Sequence, residues 1–306
     1  MEHLQSFLES HMAAVFPLWQ QGKLASYIPA LEQADPQAFG AVILGVDGSV
    51  AKHGQWDVPF TIQSISKVIS FLCCLMDAPP QQVFSKISVE SSPSSFNAIA
   101  ELETHASKKP LNPMINTGAI AVMELIAGKS AGEKFQRITE MVCLLTGKKA
   151  VSYNKEVYAS EQESGDRNRS LAYYMKSIGV IGGEVEPLLE TYFRACALEL
   201  SSEDLAKIAL VFAQDGSDGT RQLVPRQAVR LCRTVMAMCG MYNESGRYAT
   251  QVGLPSKSGV GGGILAVAPR RMGIGIFAPA LNPYGSSVCG VALMEALSHG
   301  LDLSIF

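Results

Sequence analysis

Charge is scarce in this sequence. Asp, Glu, Lys and Arg make up 17% of its 306 residues, against the quarter usual in globular proteins. Such a chain must bury much of itself, in its own core or against another subunit. The net charge of −3 comes without any basic block. That excludes an ordinary nucleic-acid surface and leaves a small-molecule substrate as the simpler expectation. No apolar run is long enough to span a bilayer; "GILAVAPRRMGIGIFAP" is split by Arg270 and Arg271. Nor does the start read as a signal peptide, since "MEHLQSFLES" is a polar, amphipathic helix. Cysteines number an odd seven, two of them adjacent (Cys73 and Cys74) in an apolar run. They cannot all pair, so the expectation is free thiols in a reducing cytoplasm, with no membrane partner. The five histidines (His3, His11, His53, His105 and His299) are scattered, and no Cys/His spacing fits zinc. His105, in "ETHASKKP", reads as a surface-loop residue.

What is present is apolar: 47% of residues are hydrophobic, enough for one large domain or two that share an interface. Residues 2–20 read as a helix. "AFGAVILGVDGSVAKHG" reads as a β-hairpin turning at Asp47-Gly48. Near the other end, "GILAVAP" and "RMGIGIFAP" read as two more strands, and "SSVCGVALMEALSHGL" as a closing helix. Between lies a long helical middle, with helical spacing in "TGAIAVMELIAG", "GEKFQRITEMVCLLTG", "RNRSLAYYMKSIG", "EPLLETYFRAC" and "SSEDLAKIALVFAQDG". The "SSED" start is a good helix cap. The simplest arrangement is an α/β (α+β) body. Both chain ends, 1–62 and 250–306, build one antiparallel sheet with flanking helices, and 63–249 is inserted as an all-helical domain. A cleft where the two meet is the default site.

Ser-x-x-Lys occurs three times: Ser49/Lys52, Ser64/Lys67 and Ser152/Lys155. Only Ser64/Lys67, in "PFTIQSISKVISFLCCLM", is followed by a helix apolar enough to be buried. A buried lysine readily loses its charge and becomes a base. Residues three apart share a helix face, so Lys67 can meet Ser64, while Ser66 points about 100° away from it. A serine at a helix start can also offer backbone N–H groups to an oxyanion. Lys257-Ser258-Gly259 leads into "VGGGILAV", where glycines let a substrate carbonyl approach the backbone. The Val260 N–H is then a candidate second oxyanion donor. Ser-x-x-Lys followed by Lys-Ser-Gly on an edge strand is the order found in serine β-lactamases and penicillin-binding proteins. "NPMINTGA" places Asn112 and Asn116 at a helix start, and "YASEQESGDRN" gathers Glu161, Glu163, Asp166, Arg167 and Asn168. They read either as caps and a solvated loop or as a pocket for an amino acid. "GIGIFA" (Gly273 to Ala278) has the spacing of a dinucleotide motif but sits within a strand, and Gly128-Lys129-Ser130 lacks the upstream glycine of a P-loop.

Taken together, "ASYIPAL", "QSISK", "NPMINTGA", "YASE", "RNRSLAYYM", "ETYFRAC", "CGMYNESGRYA" and "GLPSKSGVGGGILAVAP" resemble the serine-dependent glutaminase family from about Tyr27 to Gly290. The resemblance implies a β-lactamase-like fold and hydrolysis of L-glutamine to L-glutamate and ammonia, with no metal or organic cofactor. It implies Ser64 as nucleophile and Lys67 as its base, with Tyr27 and Tyr242 near the serine. Asn116, Glu161, Asn168 and Tyr192 would hold the amino acid end of the substrate, and the backbone of Val260 would join that of Ser64 in the oxyanion hole. Glu161, not Glu163, takes the Ser-Glu position of the motif. The long N-terminal region and ankyrin repeats of the animal enzymes have no counterpart here. Low charge and the family both imply a homo-oligomer, a dimer or tetramer. The rival readings are another acyl-serine hydrolase of the same fold and a non-catalytic amino acid sensor.

Overall fold

The computed structural model describes residues 2–91, 102–103 and 108–306; His105 lies outside them. Its strands, in chain order, are β1 (Gly40–Gly45), β2 (Val50–Gly54), β3 (Phe60–Thr61), β4 (Glu199–Leu200), β5 (Ser256–Ser258), β6 (Gly263–Ala268) and β7 (Met272–Phe277). β3 and β4 pair with each other, and the other strands form one antiparallel sheet in the order β2-β1-β7-β6-β5. The N-terminal hairpin and the C-terminal strands therefore close one sheet, as the apolar runs at the two chain ends predict. Ile43 faces Ile274 across the β1–β7 ladder, and Ile264 faces Ile276 across β6–β7.

β6 and β7 are buried at every position, so helices cover both faces of the sheet. Period-2 alternation assigns the faces. Ile264, Ala266, Ile274 and Ile276 join Leu8, Met12, Leu293 and Leu297 from the two terminal helices, Glu2–Val15 and Val288–Leu301. Leu265, Val267 and Phe277 join Leu205, Ile208 and Phe212 from the helix Ser202–Ala213. That helix lies almost on the strand backbone. A Cβ on Gly273 would stand 2.2 Å from the Leu210 nitrogen, and one on Gly275 would stand 2.0 Å from the Ser202 carbonyl oxygen. The glycines of "GIGIFA" thus serve helix–sheet approach. Ser201 closes a full capping box with Asp204 at the start of the same helix.

The helical middle is centred on Ser66–Asp77, whose residues from Ser66 to Cys74 are all buried. It packs against Asn116–Met123, Ala131–Thr146 and Arg226–Cys239. A helix buried all round is hydrophobic all round, which explains the apolar run after Lys67.

Three details depart from expectation. The first helix stops at Val15 and continues to Gln21 only as a 3-10 turn, because Pro17 has no N–H and clashes with the carbonyl four residues back. "YASEQESGDRN" is not a loop: it is the end of one helix, Lys155–Glu163, and the start of the next, Asp166–Ser177. The short β3–β4 pair has no counterpart in the sequence reading, since two-residue strands carry no period. No helix among the described residues is long and apolar enough to cross a membrane.

Candidate active site

Ser64 sits in a 3-10 turn, Gln63–Ile65, immediately before the buried helix. β3 delivers the chain to this turn, with the Ile62 N–H donating to the Leu198 carbonyl at 2.9 Å. Gln63 has φ +47°, a left-handed conformation that a non-glycine residue adopts at a cost and that recurs at functional sites. The Ser64 side chain is 8% exposed and stands at the positive end of the helix that follows.

Lys67 lies in the first turn of that helix and has no solvent contact. Its amine donates to Asn116 Oδ1 at 2.6 Å and to the Met114 carbonyl at 3.3 Å. Asn116 in turn donates through Nδ2 to Asn168 Oδ1 at 2.9 Å. Burial pulls the lysine pKa down to about 8, against the opposing pull of Cys196 and Glu161. An amine of that pKa can exchange a proton near neutrality. The other two Ser-x-x-Lys pairs are occupied elsewhere. Ser49 donates to Asp47 and Lys52 pairs with Glu203 at 2.8 Å, while Ser152 reaches Glu199 and Lys155 is exposed.

Of the acidic and amide cluster, only part turns inward. Glu161 is buried on its helix, while Glu163, Asp166 and Arg167 are exposed. Among the described residues Glu161 Oε2 has no hydrogen-bond partner. Burial pushes this carboxyl up to about 8, with Lys67 pulling it down. A buried, half-satisfied carboxyl is a ready seat for a substrate ammonium. Asn168 is half-buried at the start of the next helix. Asn112 belongs to the scaffold: it donates to the Glu90 carbonyl and accepts the Met114 N–H, fixing the turn that presents Asn116.

Tyr192 is buried on the helix Val185–Cys196. Burial raises its pKa, with Cys196, Glu161 and Tyr27 adding to the effect. Tyr27 shows 54% of its surface to solvent, yet its hydroxyl end lies in the field of Glu161, Tyr242 and Cys196 and its pKa is raised, chiefly by desolvation. The ring is open and the oxygen is enclosed. Tyr242 adopts φ +52°. Burial raises its pKa, while the hydroxyls of Ser64 and Ser258 and the backbone of Val260 oppose that rise. Its ring lies 4.2 Å from the Lys257 amine.

Val260 is buried just beyond β5. A Cβ on Gly259 would meet the Ile62 carbonyl at 2.5 Å, and one on Gly261 would meet the Thr61 carbonyl at 2.2 Å. These glycines allow a chain-to-chain approach that sets Val260 against the turn holding Ser64.

Two participants escaped the sequence reading. Cys196 has no solvent-facing role: Ser66 Oγ lies 3.8 Å from its sulfur, and it feels Glu161, Lys67 and Tyr192. Its i+4 relation to Tyr192 was the available signal. Lys257, singled out only as part of a motif, is as completely buried as Lys67. A cavity of about 930 Å³ lies alongside, sharing Met114 and Tyr242 with this cluster but not Ser64, Lys67 or Glu161. The converging titratable groups, not that cavity, locate the chemistry.

A buried amine, a serine in the turn that leads into the same helix, a half-satisfied carboxyl and three tyrosines form a set of groups suited to acyl transfer on an amino acid. The sequence profile described as Glutaminase matches residues 22–306. The chain belongs to the glutaminase family. It is a hydrolase acting on the side-chain amide of glutamine. It is 48% identical to Glutaminase 2 of Clostridium perfringens over 306 residues, covering 99% of this chain and all of that protein. Its identity to a glutaminase of Clostridium tetani, over the same length, is also 48%. Among solved structures, it superposes with a TM-score of 0.88 on the covalent complex of the Bacillus subtilis glutaminase YbgJ with 5-oxo-L-norleucine, formed by reaction with 6-diazo-5-oxo-L-norleucine. The two are 38% identical, and 99% of each chain is covered. The architecture is the β-lactamase-like fold of these enzymes.

Proposed function

We propose that this glutaminase hydrolyses L-glutamine to L-glutamate and ammonia through an acyl-enzyme on Ser64. Lys67, neutral, takes the Ser64 hydroxyl proton as Oγ attacks the side-chain amide carbon. The backbone N–H groups of Ser64 and Val260 receive the oxyanion. The C–N bond breaks and ammonia leaves with a proton relayed through Tyr242 or Tyr27. Water then attacks the glutamyl ester with Lys67 again as base, releasing glutamate and restoring Ser64. Glu161 pairs with the substrate ammonium, and Asn116, Asn168 and Tyr192 complete the seat for its amino acid end. No step calls on a metal or cofactor.

The observation that carries this reading is the fully buried Lys67 amine, three residues after Ser64 and held by Asn116, with its pKa brought down to about 8. The covalent adduct of the Bacillus relative supports it by chemistry. In 6-diazo-5-oxo-L-norleucine the ketone carbon stands where glutamine has its amide carbon. The test is ammonia release from L-glutamine, with L-asparagine as control, for wild type and Ser64→Ala. Release from glutamine that vanishes in the variant is expected. Glutamine that binds without turnover in wild type would point to the sensor reading instead.

The same proposal covers the setting. Segments 1–62 and 250–306 form the α/β part and 63–249 the helical part, with the site in the cleft between them. The enzyme works as a homo-oligomer, dimer or tetramer, in the cytoplasm. Seven free cysteines support the location, and exposed Met238, Ile305 and Phe306 support the assembly. Light scattering on the eluted protein tests the oligomer, and a monomer at working concentration would refute it.

A further inference from the structure

Tyr242 is an aromatic residue in a left-handed conformation, which is costly for an L-residue and persists only where its surroundings over-determine it. Within its own turn, the Tyr242 carbonyl accepts from Ser245 Oγ at 2.9 Å, and Ser245 Oγ accepts the Met241 N–H at 3.0 Å. A further restraint comes from across the fold. Glu244, two residues on, is 6% exposed and makes no ion pair among the described residues. Both of its carboxylate oxygens accept from Asn282 Nδ2, each at 3.1 Å.

Asn282 uses its other end as well. Its Oδ1 accepts the N–H groups of Tyr284 (2.9 Å) and Ser286 (3.1 Å), and its own N–H donates to the Ser286 carbonyl at 2.8 Å. This folds residues 282–286 into a tight loop that lies on the site. A Cβ on Gly285 would stand 3.5 Å from Val260 Cγ1 and 3.6 Å from the Tyr242 ring. Ser286 Oγ reaches Ser258 Oγ at 3.4 Å. One amide side chain therefore ties the turn that carries Tyr242 to the loop that packs against Tyr242, Val260 and Ser258. A buried carboxylate with an amide partner and no cation is a poor source of stability but a good source of register.

We propose that Glu244 and Asn282 are positioning residues that clamp Tyr242 toward Ser64 and Val260. They touch neither the reacting atoms nor the amino acid seat, so their loss acts on kcat and leaves KM nearly unchanged. The proposal rests on the placing of Tyr242 in the catalytic machinery.

The test compares Asn282→Asp, the swapped pair Glu244→Gln/Asn282→Asp, and Tyr242→Phe, each checked for fold by circular dichroism. Asn282→Asp keeps the acceptors for Tyr284 and Ser286 but sets two carboxylates face to face. It should lower kcat about tenfold, the scale of coupling seen between contacting residues, with KM within about threefold. The swapped pair restores a donor opposite a carboxylate and should return kcat to within about threefold of wild type. Full kcat in Asn282→Asp would overturn the clamp, as would a folded swapped pair slower than about a tenth of wild type. Should Asn282→Asp fail to fold, the swapped pair decides alone by the same criterion. A Tyr242→Phe variant of full activity would overturn the role of Tyr242, and the clamp with it. A slow Tyr242→Phe beside an unimpaired Asn282→Asp would overturn the clamp alone.

Discussion

The two elements that meet at the site each bury a lysine completely, and the two amines sit in different surroundings. Lys67, on the helix Ser66–Asp77, gives its protons to Asn116 Oδ1 and the Met114 carbonyl and lies in the field of Glu161. Lys257, on the edge strand β5, gives its protons to the carbonyls of Gly240 and Ser258, at 2.9 and 2.7 Å. Desolvation lowers both pKa values. For Lys67, Cys196 and then Glu161 return part of the loss and leave it at about 8; for Lys257 the neighbour is Lys67 itself, which drives it further down. The Lys257 amine also stands 4.2 Å from the centre of the Tyr242 ring. Burial lowers the pKa of both amines, and the groups around each set how far.

This contrast breaks most sharply with Lys67→Met. General-base loss costs about 10²–10⁴-fold, so kcat should fall by about that much in a folded protein, measured by ammonia release. Glu161→Gln comes next, with kcat/KM down on the order of 100-fold as the ammonium loses its partner; N-acetyl-glutamine should be a poor substrate of wild type for the same reason. The pH profile carries the sharper reading. Wild-type kcat/KM should rise with pH through about 8 as the Lys67–Glu161 pair loses its protons. Removing the Glu161 anion lowers the lysine pKa further, so the acidic limb should move to lower pH. A limb that stays in place would show that Glu161 does not set Lys67.

Lys257→Met should be milder for chemistry. It takes the amine from the Ser258 carbonyl and leaves the Gly240 carbonyl with the Ser258 N–H at 3.3 Å, at about 1–3 kcal/mol, which lowers the melting temperature and loosens Tyr242, with kcat down about tenfold. A folded Lys257→Met as slow as Lys67→Met would erase the distinction between the two amines. The smallest effect belongs to Ser66→Ala, expected within about threefold of wild type, since among the described residues the Ser66 hydroxyl reaches only the Cys196 sulfur, at 3.8 Å. A dead Ser66→Ala beside an active Ser64→Ala would move the nucleophile by two residues.

Local pattern and global meeting divide what could be read in advance. The hairpin at Asp47-Gly48, the β6–β7 pair and the closing helix were legible because period-2 runs, turn dipeptides and caps act between near neighbours in the chain. Ser64/Lys67 could be preferred over the two other Ser-x-x-Lys pairs for a similar reason: the apolar run that buries Lys67 follows it directly. The roles carried over by family resemblance named Asn116, Glu161, Asn168, Tyr192, Tyr242 and Val260 without any account of how they meet.

Tertiary structure supplied that account. Whether Glu161 or Glu163 faces inward depends on which side of a helix is covered, and the covering residues lie far away in sequence. The glycines around Val260 and those of β7 look alike in the chain; only the packed fold shows that one set admits the backbone of residues 61–62 and the other a helix. The two buried amines differ through the groups brought to them from distant elements, Cys196 and Glu161 to Lys67 and Lys67 to Lys257, and the Glu244–Asn282 clamp joins residues 38 apart. The sequence by itself determined the strands, the helices and which serine and lysine could be neighbours, since those follow from spacing. Burial, charge state and orientation were decided by the tertiary structure, because desolvation and Coulomb fields act through space and depend on what the fold brings within a few ångströms.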